Sequence, residues 1–169
     1  MTTGDVDPQP TQSEAAASSP PDQGAGGLGA RFGARVIDGV IVGLISLAVA
    51  FLVNLGTGYV GTDWVANWIS LSILSVVTFL YFVVLETSLG ATPGKKILGL
   101  AVEGPGGAPR VTFAQSAIRN SWTLLYIIPF AGSVLYLIAV IAIAVTINNS
   151  PTKQGIHDRI AGGTQVVKG

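Results

Sequence analysis

The chain has 169 residues, of which 49% are hydrophobic and 11% charged, with nine basic and nine acidic side chains and no cysteine. A mean hydropathy of +0.59 is too apolar for an ordinary soluble domain. The lack of cysteine excludes disulfides, a thiol nucleophile, thiolate metal sites and palmitoylation.

Residues 1–30 hold Pro8, Pro10, Pro20, Pro21, a glycine-rich end, and four acidic residues (Asp5, Asp7, Glu14, Asp22) with no Lys or Arg. Such a tail cannot bury enough apolar surface to offset its ordering entropy, so it is expected to be disordered. It lacks the basic start and early apolar run of a signal peptide. Those acids leave five against nine basic residues, so a neutral chain divides into an acidic tail and a basic domain over 31–169.

Three apolar stretches follow, at 36–55, 68–85 and 122–147. Each reaches the roughly 17–25 residues that a membrane-spanning helix needs, and none has the polar face of a soluble amphipathic helix. The fold class is therefore an all-α integral membrane protein. Pro129 and Gly132 interrupt the third stretch, where proline removes a backbone donor and glycine supplies turn freedom. A helical hairpin is expected there, giving four helices at about 35–55, 67–86, 113–128 and 131–148; three helices with a kinked last span is the alternative. Thr112-Phe-Ala-Gln115 has the pattern of a capping box at the start of the third helix.

Arg31 and Arg35 precede the first span, the 56–67 loop carries no Lys or Arg, and Lys95, Lys96, Arg110 and Arg119 follow the second span. The positive-inside bias then puts both termini in the cytoplasm and the 56–67 loop outside, with Tyr59, Trp64 and Trp68 at the outer interface. Between helices two and three, β-prone runs at 97–102 and 110–112 flank a Pro/Gly turn and suggest a small cytoplasmic β-hairpin. Residues 164–167 are a further run able to pair with it.

The informative residue is Asp38, three positions after Arg35 where the first helix enters the membrane. A charge at mid-bilayer costs about 2.5–3.5 kcal/mol, less near the interface, so such a residue is held for a reason. It is either a structural partner for the arginine or a protonatable group on an ion path. Gly39 and Gly43 form a small-x-x-x-small pair on the same helix, expected to pack closely against a helix of the same chain or of a second copy. Arg119 needs a carboxylate at its depth, Asp38 and Glu86 being the nearest candidates. Gly90-Ala-Thr-Pro-Gly-Lys-Lys96 has neither the spacing nor the hydroxyl of a phosphate-binding loop; its Lys95 and Lys96 suit anionic headgroups instead. His157, the sole histidine, stands beside Asp158 without the ligands of a metal site. No metal, cofactor, nucleic acid or catalytic constellation is expected.

Several of these residues recur together. Arg35 and Asp38, the Gly90-Ala-Thr-Pro-Gly-Lys95 run with the short β-like stretch to Val102, Arg119-Asn120, and His157-Asp158-Arg-Ile-Ala-Gly-Gly-Thr164-Gln-Val-Val167 follow one another in an order that resembles the RDD family of bacterial membrane proteins, named for one arginine and two aspartates. The second glycine of Gly162-Gly163 departs from the pattern. The resemblance covers residues 29–168 and implies a multi-pass protein of the bacterial cell membrane. Some members have been linked to sodium/proton antiport, which implies cation/proton exchange.

Two functional readings remain. In the first, a transporter, expected as a homo-oligomer because four short helices rarely enclose a path alone, binds a proton or monovalent cation at Asp38, with Arg35 or Arg119 holding that carboxyl ionised and Asp158 acting from the cytoplasmic side. In the second, the cluster of Arg35, Asp38 and Asp158, supported by Glu86, Lys95, Lys96, Arg119 and His157, is a structural clasp in a non-transporting interaction protein embedded in the lipid bilayer.

Overall fold

The structure, a computed structural model, describes residues 24–57 and 63–169. The expected disorder of residues 1–23 and the interfacial place of Tyr59 lie outside the described residues. Helix α1 (Leu28–Thr57) and helix α2 (Trp64–Leu89) form an antiparallel pair. Asp63 caps α2 by accepting from Ala66 N at 2.9 Å, and Gly90 ends it at φ 71°, where a left-handed residue lets its N–H return to Glu86 O. Thr92 then caps the short helix α3 (Pro93–Ile97), with proline at the first turn where no N–H is missed.

Strand β1 (Leu100–Glu103) pairs antiparallel with β2 (Gln165–Lys168), in the register Val102 opposite Val166. This corrects the local hairpin. The turn does form, closed by Gly104 N to Ala108 O at 2.7 Å. Pro109, however, has no N–H for a ladder, and Thr112 is taken by the cap of the next helix. The partner strand comes instead from the C-terminus. Residues 24–26 extend along the other edge of β2 through Gly26 N to Val166 O (2.9 Å) and Lys168 N to Gly24 O (3.0 Å), so order begins before residue 30. Beneath the sheet Ala34, Leu100, Val102, Val111 and Val166 form a compact apolar core.

The third limb is not one α-helix. It is α4 (Phe113–Asn120), opened by the expected Thr112/Gln115 capping box, followed by a 3₁₀ segment (Ser121–Ile127). The limb runs antiparallel along α2: Ser116 and Asn120 bond Glu86, Ser75 Oγ donates to Thr123 O at 2.5 Å, and Trp68 Nε1 donates to Ile127 O at 3.0 Å. From Glu86 to Trp68 α2 rises about 27 Å at about 1.5 Å per residue, and the 3₁₀ rise of about 2.0 Å per residue extends the reach of the shorter limb beside it. The chain turns at Pro129–Phe130 and returns as α5 (Gly132–Asn149), then α6 (Ile156–Ile160) and β2. Leu28–Val53, Trp64–Leu89 and Gly132–Asn149 are long and apolar enough to cross a membrane. Their exposed Leu44, Leu47, Phe51, Val84, Leu137 and Ile141 suit contact with lipid chains.

Candidate functional site

The buried charges sort into separate nodes rather than one cluster. Asp38 is fully buried, and its carboxylate accepts from Tyr81 OH (2.8 Å), Thr92 Oγ1 (2.5 Å) and the Gly94 backbone N–H (2.8 Å). It therefore holds the start of α3 against α1. Arg35, one turn away, is not its partner. That guanidinium donates to Asn120 Oδ1 at 3.0 Å and stacks 3.7 Å from the Phe82 ring centroid, with Trp122 beyond at 5.1 Å. It makes no ion pair among the described residues.

Glu86, also fully buried, takes Lys95 Nζ on one oxygen, and Ser116 Oγ and Asn120 Nδ2 on the other, each of these two at 2.9 Å. Burial pulls the Lys95 pKa down to about 8 against the attraction of Glu86. Of the two lysines expected at headgroups, only Lys96 stays exposed.

Asp158 is the third buried node. Arg31 Nη1 reaches it at 2.9 Å, Arg119 Nε lies 3.1 Å away, and Gly155 N donates at 3.1 Å. Burial opposes its charge, yet Arg119, His157 and Arg31 hold its pKa below the usual carboxylate range. Asp158, rather than Asp38 or Glu86, is thus the carboxylate beside Arg119. Burial pushes His157 down to about 3, so the imidazole is neutral at physiological pH. Arg31, read from the sequence only as a topological charge, is the arginine of this ion pair in place of Arg35. Its Nε also holds Gly26 O at 2.9 Å, which ties the chain's lead-in to the sheet.

Gly39 and Gly43 do not pack on another helix of the chain. Both are exposed, and a Cβ on either would meet nothing within 4 Å. The close approach is made by Gly94, where a Cβ would collide with the Ala34 carbonyl oxygen and lie 2.8 Å from Asp38 Cγ. The sequence contains that glycine in a turn motif but carries no sign of which helix it meets.

A cavity of about 440 Å³ lies between α1, α2, the 3₁₀ segment and α5. Arg31, Arg35, Lys95 and Arg119 line its charged end, while Val42, Leu74 and Ile143 contribute to its apolar walls. Among the described residues that line it there is no Asp or Glu; Asp38, Glu86 and Asp158 are buried in their own packed contacts instead. Arg119 Nε and Nη1, Trp122 Nε1 and His157 Nδ1 are buried without a hydrogen-bond partner among the described residues. The cavity had no signal in the sequence, because its lining residues come from elements far apart in the chain.

No curated protein and no solved structure matches the chain. The RDD family profile matches residues 25–162, a span that takes in Asp38, Glu86, Asp158 and the four cationic residues at the charged end of the cavity, and the chain belongs to the RDD family.

Proposed function

We propose that the buried carboxylates are a clasp, fastening the cytoplasmic cap to a four-span, non-enzymatic membrane bundle of the bacterial cell membrane with both termini inside. One observation carries this reading: Asp38 has no exposure and three donors, from Tyr81, Thr92 and Gly94, and does not face the cavity. A carboxylate that loads and releases a proton or cation needs a water-accessible face. Each acid instead joins segments distant in sequence: α1 to α3, α2 to α3 and α4, and α6 to α1 and α4. The antiparallel course of the third limb along α2 supports the four-span arrangement.

Asp38→Asn turns one acceptor oxygen into a donor facing donors already in place. Under the clasp reading it lowers the yield of folded protein and its melting temperature in detergent. Abolished proton-coupled cation flux in proteoliposomes, with an unchanged melting temperature, would reverse the assignment in favour of transport.

A further inference from the structure

We propose that the cavity binds an anionic membrane lipid, its phosphate against Arg35 and Arg119 and an acyl chain along the apolar wall between α1 and α5. Three independent features of the cavity converge on this occupant.

The first is charge. Among the described residues the cavity end presents Arg31, Arg35, Lys95 and Arg119, while the acids buried in the same layer are Asp38, Glu86 and Asp158. One positive charge is left over. It falls to Arg35, which has Asn120 and aromatic rings for company but no ion pair among the described residues. A phosphodiester carries the single negative charge that balances it. The second feature is unused donors. Arg119 is only 2% exposed, yet its Nη1 has no acceptor, and Trp122 Nε1 is likewise unpartnered at the cavity wall. Buried N–H groups are seldom left unpaired, and phosphate oxygens are strong acceptors for guanidinium.

The third feature is shape. From Phe82 beside the arginines to Leu71 the lining follows α2 for about 16 Å, at about 1.5 Å per residue, with an apolar and aromatic wall. Exposed Phe32 and Gly39 stand at its edge, where a side chain is missing and the bilayer has access. A small soluble anion would use the charged end and leave the apolar length empty. A lipid uses both. The inference rests on the proposed reading for its placement of the charged layer at the cytoplasmic leaflet. Its test reads lipid preference, whereas the clasp is read by folding and flux, so either can fail alone.

The test compares the full chain with its Trp122→Phe variant, so that the difference in quenching reports Trp122 while Trp68 keeps its bond to Ile127 O. In nanodiscs, chain-brominated phosphatidylglycerol should quench Trp122 at about one-tenth the mole fraction needed for brominated phosphatidylcholine, a preference equivalent to about 1.4 kcal/mol. Gly39→Phe, whose Cβ meets nothing within 4 Å and whose ring would fill the mouth, and Arg35→Gln should each remove the preference. Millimolar inorganic phosphate should leave it intact. Val140→Phe fills the opposite wall and serves if Gly39→Phe does not fold. Equal quenching by the two lipids overturns the proposal. So does a preference that phosphate abolishes, which indicates a soluble anion, or one that survives both plugging and loss of Arg35, which indicates lipid on the outer surface.

Discussion

Asp38 and Arg35 lie one turn apart on α1, where helical geometry makes i and i+3 neighbours, yet they serve different elements. The carboxylate is claimed by Thr92 and Gly94, and the guanidinium by Asn120 and Phe82. Adjacency on a helix was visible in the sequence; which neighbouring element would supply better partners was not. Gly94 is what makes the Asp38 contact geometrically possible. Gly94→Ala should lower stability by about 1–3 kcal/mol through forced separation of α3 from α1, seen as a lower melting temperature in detergent. Gly39→Ala, into open space on the same helix, should be neutral or stabilise by up to about 1 kcal/mol, the usual helical gain over glycine. At the Asp158 node, Asp158→Ala leaves Arg31 and Arg119 buried without their counter-charge, a loss of about 3–5 kcal/mol measurable as a collapse in folded yield.

At the level of elements, the long apolar helices were readable because hydrophobic length is a local property. The capping box at Thr112 and Gln115 was readable for the same reason. The β pairing was not, because β1 had two candidate partners of similar composition, separated by the missing Pro109 donor and the use of Thr112 as a helix cap. The winding of the third limb was hidden too: a Ser/Thr-bearing apolar run reads equally as α or 3₁₀, and tertiary anchors at Ser75 and Trp68 set its pitch. The turn after it can be probed directly, since the chain has no cysteine of its own and Phe130 is 87% exposed. With Phe130→Cys, a membrane-impermeant maleimide should label intact cells from outside. With Ile156→Cys it should label only opened cells. Labelling of Phe130→Cys only after lysis would remove the outward limb and restore three spans.

For the molecule as a whole, an apolar bundle is joined through buried charge to a cap formed by α3, α6 and the sheet, so acid should loosen the cap before it affects the spans. Two groups outside the spans set the direction. The folded His157 pKa is depressed to about 3 from 6.5, so between those values the unfolded cap binds a proton that the folded one refuses. Asp158 is also depressed, so its contribution is present above its unfolded pKa and disappears as the pH falls through its folded one. Both therefore remove stability on acidification. On acidification from neutrality the cap should weaken below about pH 6.5, with His157 alone contributing a slope of up to about 1.4 kcal/mol per pH unit. Thermal melts in detergent across this range, with limited proteolysis reporting on the C-terminal segment, measure the slope. His157→Gln keeps a polar side chain but cannot take up the proton. It should flatten the decline from about pH 6.5 down to the carboxylate range and leave the Asp158 limb in place. If the wild-type protein loses no stability until the carboxylate range, His157 is not excluded from protonation by its burial, and the neutral imidazole assigned beside Asp158 is wrong.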